Sequence, residues 1–201
     1  MVLISGEALI DMLPRPDQGK GTFLAVPGGS PFNVAMALGR LGVAVQFLGR
    51  ISRDHFGEEL AQTLQRSRVD ISLCQRTDAL STLGFVTFDS ESGNARYAFY
   101  TDGTAGCVLE PADLPTRLPA DVQCLHFGSF SLAVEPIGTT LEELLSKHRA
   151  GRVISVDPNI RPFLIRDPVH FKARLEHFLN SAHIIKVSLE DLEWIEPGLS
   201  P

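Results

Sequence analysis

The chain has 201 residues, 44% of them hydrophobic and 21% charged, with 18 Lys and Arg against 24 Asp and Glu for a net charge of −6. That profile excludes a disordered, collagenous or coiled-coil chain, and its acidic balance argues against nucleic acid, which rewards clustered Lys and Arg. The length allows one large domain, or one with a small appendage, burying roughly 70% of its unfolded surface, so the core needs no staples.

Val2 to Ser5 is a short apolar run that stops at Gly6 and predicts a buried strand. Ala8 to Leu13 continues extended to Pro14, Arg15 to Gly21 is a loop, and Thr22 to Val26 suits another strand. Pro27-Gly28-Gly29-Ser30-Pro31 is turn chemistry. A helix should follow with Phe32, Ala35, Leu38 and Leu41 inward, ending at Gly42. Val43 to Leu48 reads as a strand closed by Gly49, and Asp54 as the N-cap of a helix carrying Phe56, Leu60 and Leu64. Thr82 to Phe88 and Ala95 to Tyr100, joined by residues 89–94, give a hairpin signal. Strand and helix then alternate: a strand at Val122 to Phe127, a helix at Thr140 to Arg149, a strand at Val153 to Val156, a helix at Phe171 to Leu179 and a further buried strand at Ile184 to Val187. Alternating elements with apolar strands imply an α/β fold, a doubly wound, mostly parallel sheet. The early strands and the hairpin, roughly 8–26 and 82–101, are expected to form a small β-sheet lid on a single domain spanning 1–201.

Other chemistries lack their motifs. Cys74, Cys107 and Cys124 are odd in number and have no CxxC or Cys/His zinc spacing. His170 and His177 sit one heptad apart without partnering acid or cysteine spacing, which fits a solvated face, and His126 reads as a core residue or one supporting a site. There is no GxxxxGK[ST] phosphate cradle, no GxGxxG and no GxSxG. The N-terminus lacks the charge, apolar run and cleavage site of a signal peptide, and no apolar run approaches 18 residues. The expectation is no membrane partner and a cytoplasmic location.

In open α/β sheets ligands bind beyond the C-terminal strand ends. Those ends carry Gly6-Glu7 and Asp11, Gly128-Ser129, Asp157-Pro158-Asn159-Ile160-Arg161-Pro162, and Ser188-Leu189-Glu190-Asp191. The most informative element is Gly28-Gly29-Ser30-Pro31-Phe32-Asn33-Val34-Ala35. Its glycines allow close backbone approach, Asn33 offers donor and acceptor to a neutral polyol, and a helix N-terminus supplies free N–H groups. A plain turn before a helix explains the same residues. Asp157 can be a turn cap or a site group, and Arg161 a surface residue or a phosphate contact. Arg96 alternates with Ala98 and Tyr100 on one face of a candidate lid strand, which meets a ligand or solvent. Ser188 with Asp191 is a capping box in its looser form.

In this order, the runs GEALIDMLP, GGSPFNVAMALGRLG, GRISRDHFG, DPNIRP and KVSLEDLEW resemble the ribokinase/fructokinase (PfkB-type) carbohydrate kinases, with the bacterial fructokinase branch most similar. The resemblance covers essentially the whole chain. It implies a ribokinase-like fold and transfer of a phosphoryl group from ATP, with Mg2+, to a sugar hydroxyl, fructose foremost. A 2-keto-3-deoxygluconate, ribose or nucleoside kinase and a non-catalytic sugar-binding or association fragment stand as alternatives. It implies substrate contacts at Asp11, Gly28, Gly29, Asn33, Arg96, Asn159 and Arg161. It also implies tuning of phosphate or magnesium, with no direct metal ligand, at Lys186, Ser188, Glu190 and Asp191, where the family usually has Glu at the position of Asp191. A homodimer through the lid is a further implication. The family's Gly-Ala-Gly-Asp run, whose Asp is the general base, is absent. The expectation is therefore an N-terminal portion without its C-terminal strands, inactive alone, with the base lying beyond Pro201.

Overall fold

In the computed structural model, residues 1–19, 21–88 and 95–198 are described, without the side chains of Pro16, Phe88, Ala95 and Arg96. Six parallel strands form the central sheet among them: β1 (Val2–Ser5), β4 (Val45–Leu48), β6 (Val69–Asp70), β10 (Cys124–Gly128), β11 (Val153–Asp157) and β12 (Ile184–Ile185). Their spatial order is β12-β11-β10-β1-β4-β6. The early chain therefore runs outward from β1 on one side, and the later chain outward from β10 on the other.

Adjacent residues of a strand point to opposite faces, so a strand that is apolar throughout must be covered twice. In β1, Leu3 joins one core cluster and Ile4 the other. Ile4 packs with Phe32 and Ala35 of α1 (Ser30–Arg40) and Leu60 and Leu64 of α2 (His55–Arg66). The cluster with Leu3 takes in Leu141 and Leu144 of α3 (Ile137–His148) and Phe171 and Phe178 of α4 (Pro168–Ser181). This is the doubly wound arrangement, with a mostly parallel central sheet and a separate small one.

The small sheet has the order β3-β2-β8-β9, from β2 (Leu9–Pro14), β3 (Phe23–Gly28), β8 (Thr82–Phe88) and β9 (Ala95–Tyr100). β2 pairs antiparallel with β3 and parallel with β8, and β8 antiparallel with β9. The turn expected at 89–94 lies outside the described residues. A further parallel pair joins β5 (Arg50–Ser52) to β7 (Gln75–Thr77).

Two expectations need correction. Leu41 is not inward: it is 78% exposed, because α1 ends at Arg40 and Leu41 begins the turn through Gly42. The strand near Ile184 is neither long nor buried. It has two residues, 55% and 49% exposed, because it is the edge of the central sheet in this chain.

Asp54 caps α2 as expected and does more. Its Oδ1 accepts from Gly57 N at 2.7 Å and from Ser81 Oγ at 2.7 Å, and its Oδ2 from Ser81 N at 2.7 Å. One carboxylate thus joins the start of α2 to the residue before β8. Partial burial alone would raise its pKa, but these donors outweigh it and hold the group below its ordinary value. Asp54→Ala should destabilise the fold by about 1–2 kcal/mol in urea titrations at neutral pH. The folded-state pKa is depressed, so that contribution is present above the unfolded carboxyl pKa and vanishes as pH falls through the folded one. The wild-type and variant stabilities should converge in acid.

Candidate functional site

The strand order reverses between β1 and β10, and such a reversal opens a crevice at the carboxyl ends of the strands. A cleft of about 440 Å³ lies there. Glu7, just beyond β1, and Ser129 and Phe130, just beyond β10, line it from the central sheet. The loop after β11 contributes Asn159 and Arg161, and α1 contributes Ser30 and Asn33. The small sheet adds Asp11 from β2 and Tyr97 and Phe99 from β9.

Asp11 is held in this cleft by what its neighbours lack. A methyl group at position 28 would lie 2.3 Å from Asp11 Oδ2, and one at position 84 would lie 3.0 Å from Oδ1. Gly84 is its register partner on β8, and Gly28 is near it on β3. Two glycines in adjacent strands thus leave room for the carboxylate. Half-burial raises its pKa, and the charge of Arg161 opposes the rise. The pair supplies a strong acceptor and a cation to one cleft.

Gly29 occupies φ +105°, a conformation that favours glycine, and a Cβ there would meet the Glu7 carbonyl oxygen at 3.0 Å. That close approach sets α1 directly against the end of β1. Asn33 N donates to Gly29 O at 2.8 Å, leaving the exposed Asn33 side chain over the cleft.

Asn159 sits at φ +39° between β11 and a 3₁₀ turn at Pro162–Leu164. Arg161 donates to Ile160 O at 3.0 Å, and its guanidinium lies 5.8 Å from the Tyr97 ring centroid. Asp191 secures this loop. Its Oδ1 accepts from Ile160 N at 2.6 Å and its Oδ2 from Ser188 N at 3.0 Å, while Ser188 Oγ accepts from Asp191 N at 3.0 Å. The capping box of α5 (Leu189–Ile195) is therefore also the clamp on the loop that carries Asn159 and Arg161.

Of the expected site residues, the cleft gathers Asp11, Gly29, Asn33, Asn159 and Arg161, with Gly28 beneath Asp11. Lys186, Ser188, Glu190 and Asp191 do not line it. Lys186 pairs with Asp157 at 3.1 Å, and Glu190 is exposed beside Trp194 on the outer side of α5. The Arg96 side chain lies outside the described residues. Its sequence companions Ala98 and Tyr100 do not line the cleft, whereas Tyr97 and Phe99 do.

A larger cavity, about 620 Å³, adjoins β9 and the start of α4. Its charged side chains are largely engaged: Arg166 pairs with Asp102, the buried Arg174 with Glu135 and with Glu142 outside the lining, and Asp167 accepts from Val169 N and His170 N at the start of α4. It offers a ligand less unspent chemistry than the smaller cleft does.

A family model described as pfkB family carbohydrate kinase matches residues 1–197. The chain belongs to that family. A fructokinase of Rhizobium leguminosarum bv. trifolii is 48% identical over 96% of this chain and 59% of that protein. A fructokinase from Xylella fastidiosa, solved with bound ATP, superposes with a TM-score of 0.87 at 33% identity, over 96% of this chain and 63% of that one. A fructokinase from Vibrio cholerae O395, in a fructose, ADP and calcium ion bound form, gives 0.86 at 27% identity, over 99% and 63%. The chain spans about three fifths of the length of these relatives.

Sequence reasoning missed three features of the cleft. Glu7 stood at a strand end but was given no part. Tyr97 and Phe99 share the period-two face opposite Ala98 and Tyr100, which alternation alone could not orient. The Asp191 contact to Ile160 crosses 31 residues and leaves no local signature. Asp191→Ala would strand two backbone donors. We expect a loss of about 2–4 kcal/mol in denaturant titrations. Faster amide exchange should be confined to residues 159–161 and the start of α5, and uniform exchange across the sheet would contradict the clamp.

Proposed function

We propose that the protein of which this chain is part transfers the γ-phosphoryl group of ATP to a hydroxyl of fructose, giving fructose 6-phosphate. The observation that carries the reading is Asp11, a carboxylate held clear by Gly28 and Gly84 in a cleft that also contains Asn33 and Arg161. A neutral polyol presents hydroxyl donors and acceptors. Asp11 accepts, Asn33 does both, and Gly29 lets the sugar approach the main chain. Arg161 and Asn159, on the opposite side, suit the charge of the phosphoryl group as it moves. Fructose leads because the cited relatives are fructokinases, one of them bound to fructose and ADP. ATP as donor is supported by the ATP-bound relative.

Phosphoryl transfer depends mostly on positioning and electrostatics. Arg96, Lys186, Ser188 and Glu190 join this proposal in the supporting roles the resemblance implies. Asp191 acts through the loop it holds, with both its oxygens already engaged. Magnesium finds no group of three or more His, Cys, Asp or Glu side chains arranged for it among the described residues. The small sheet would serve as a lid on one domain and as the contact of a homodimer. Its exposed Leu24 and Tyr100 favour that contact. A cytoplasmic location is part of the same proposal; among the described residues no helix is long and apolar enough to cross a membrane.

The test is ADP release by the full-length protein with fructose, 2-keto-3-deoxygluconate, ribose and a nucleoside. Turnover should be fastest with fructose, and turnover with none would refute the kinase reading. Asp11→Asn should lower kcat/KM for fructose about 10–100-fold, the worth of one or two hydrogen bonds to a charged group. Residues 1–201 alone contain no Gly-Ala-Gly-Asp run. They should show no turnover, since a positioned base contributes about 10²–10⁴-fold. Light scattering of the full-length protein should give a dimer mass.

A further inference from the structure

Glu7 is a charged residue type placed where no charge is comfortable. Its side chain is fully buried at the reversal of the central sheet, against the carboxyl end of β1. Glu7 N donates to Ser131 Oγ at 2.9 Å, and Ser131 Oγ in turn donates to Glu7 Oε2. Ser131 belongs to the 3₁₀ turn that follows β10. This closed pair of bonds therefore joins the two strands that diverge at the crevice. The same residue supports the glycine turn: Gly29 sits over the Glu7 carbonyl oxygen and Cγ. A Cβ at Gly106 would meet Glu7 Cβ at 3.4 Å.

We infer that Glu7 is a positioning residue of the cleft, whose carboxyl ties the ends of β1 and β10 together and props the Gly28-Gly29-Ser30 turn that presents Asn33. The inference rests on the proposed reading of the cleft as the sugar site. It adds a residue that acts through the turn rather than by touching the sugar.

A secondary consequence concerns pH. Burial pushes the Glu7 carboxyl up to about 7. The Ser131 and Ser129 hydroxyls and the backbone N–H groups of Glu7 and Ser30 limit the rise. The titratable groups around it are Cys107, whose thiol burial pushes up to about 12, and Asp11 and Arg161, which line the same cleft. Cys107 is therefore neutral throughout the relevant range. A buried acid with a raised pKa favours folding while it is neutral. That contribution is present below its unfolded value and is lost as pH rises toward about 7.

The experiment uses the full-length protein and its Glu7→Ala, Glu7→Gln and Ser131→Ala variants. Amide exchange is read by mass spectrometry, and fructose kinetics are read across pH 5–9. Glu7→Ala and Ser131→Ala should speed exchange about tenfold in residues 27–33 and 129–132, leaving α3 and α4 unchanged. They should raise the KM for fructose about tenfold with kcat altered less, the effect of losing one hydrogen bond's worth of order. Glu7→Gln keeps the shape and should restore most of both. The wild-type protein should lose stability between about pH 4.5 and 7 relative to Glu7→Gln. Unchanged exchange at 27–33 in Glu7→Ala and Ser131→Ala would overturn the inference, as would loosening spread evenly over the sheet. If exchange rises locally while the wild-type protein phosphorylates no sugar, the positioning role stands and the fructose reading falls.

Discussion

The reversal of strand order between β1 and β10 is the constraint on which the rest depends. A parallel sheet whose connections leave its centre in opposite directions has no helix crossing over the point of departure. The carboxyl ends of the two central strands are left as a crevice, lined by main chain and whatever side chains follow. The central-sheet side of the cleft descends from this. Glu7 and Ser129 follow those two strands, and α1 enters over the end of β1. The next strand outward, β11, delivers Asn159 and Arg161 to the same edge. The core packs both faces of the sheet without filling the crevice.

The small sheet completes the cleft through subtraction as much as addition. β2 brings Asp11, and its neighbours β3 and β8 meet that carboxylate with glycine. β9 brings aromatic faces. Tyr97 stacks with Phe99 at 5.9 Å, and Phe99 continues to Phe130 at 5.7 Å and Phe163 at 5.8 Å. Those last two rings belong to turns after the central strands β10 and β11, so the aromatic run joins the two sheets across the cleft. Such contacts favour association without fixing it as a hydrogen-bonded ladder would. The small sheet is anchored at one end by Asp54 and Ser81 and along β2 by Ile10 in the core with α1 and α2, while β9 meets the central sheet through ring contacts.

The fold was legible because its signals are local and redundant. Apolar strands of four or five residues alternate with helices whose caps are written in the sequence, Asp54 and Ser188 among them. The misreadings sit at element ends, where one residue of register decides burial. Leu41 continues the spacing of α1, but the helix has already stopped. Ile184 and Ile185 have the composition of a buried strand, yet burial is a property of neighbours and not of composition. In the cleft, Asp11, Gly29, Asn33, Asn159 and Arg161 were pointed to by the family resemblance and by their places near strand ends and turns, and the structure brings them together. What depended on which face of β9 looks inward, or on contacts over more than a hundred residues such as Glu7 with Ser131, was not legible.

Asp191 shows how one residue can satisfy a local and a distant requirement together, and what that excludes. A capping box needs a side-chain acceptor three residues after the cap, usually Glu or Gln, and here Asp serves. The shorter side chain here reaches the Ser188 N–H with one oxygen and places the other 2.6 Å from Ile160 N. Both oxygens thereby accept from buried backbone donors, and the group is only 3% exposed. An acid so committed has little left to offer a solvated ion. Freeing it would leave two buried N–H groups unpaired and release the loop that carries Arg161. The geometry therefore assigns this acid to the loop. Any influence it has on the chemistry must pass through the position of Arg161, which the same loop holds within 5.8 Å of Tyr97 and in the field of Asp11.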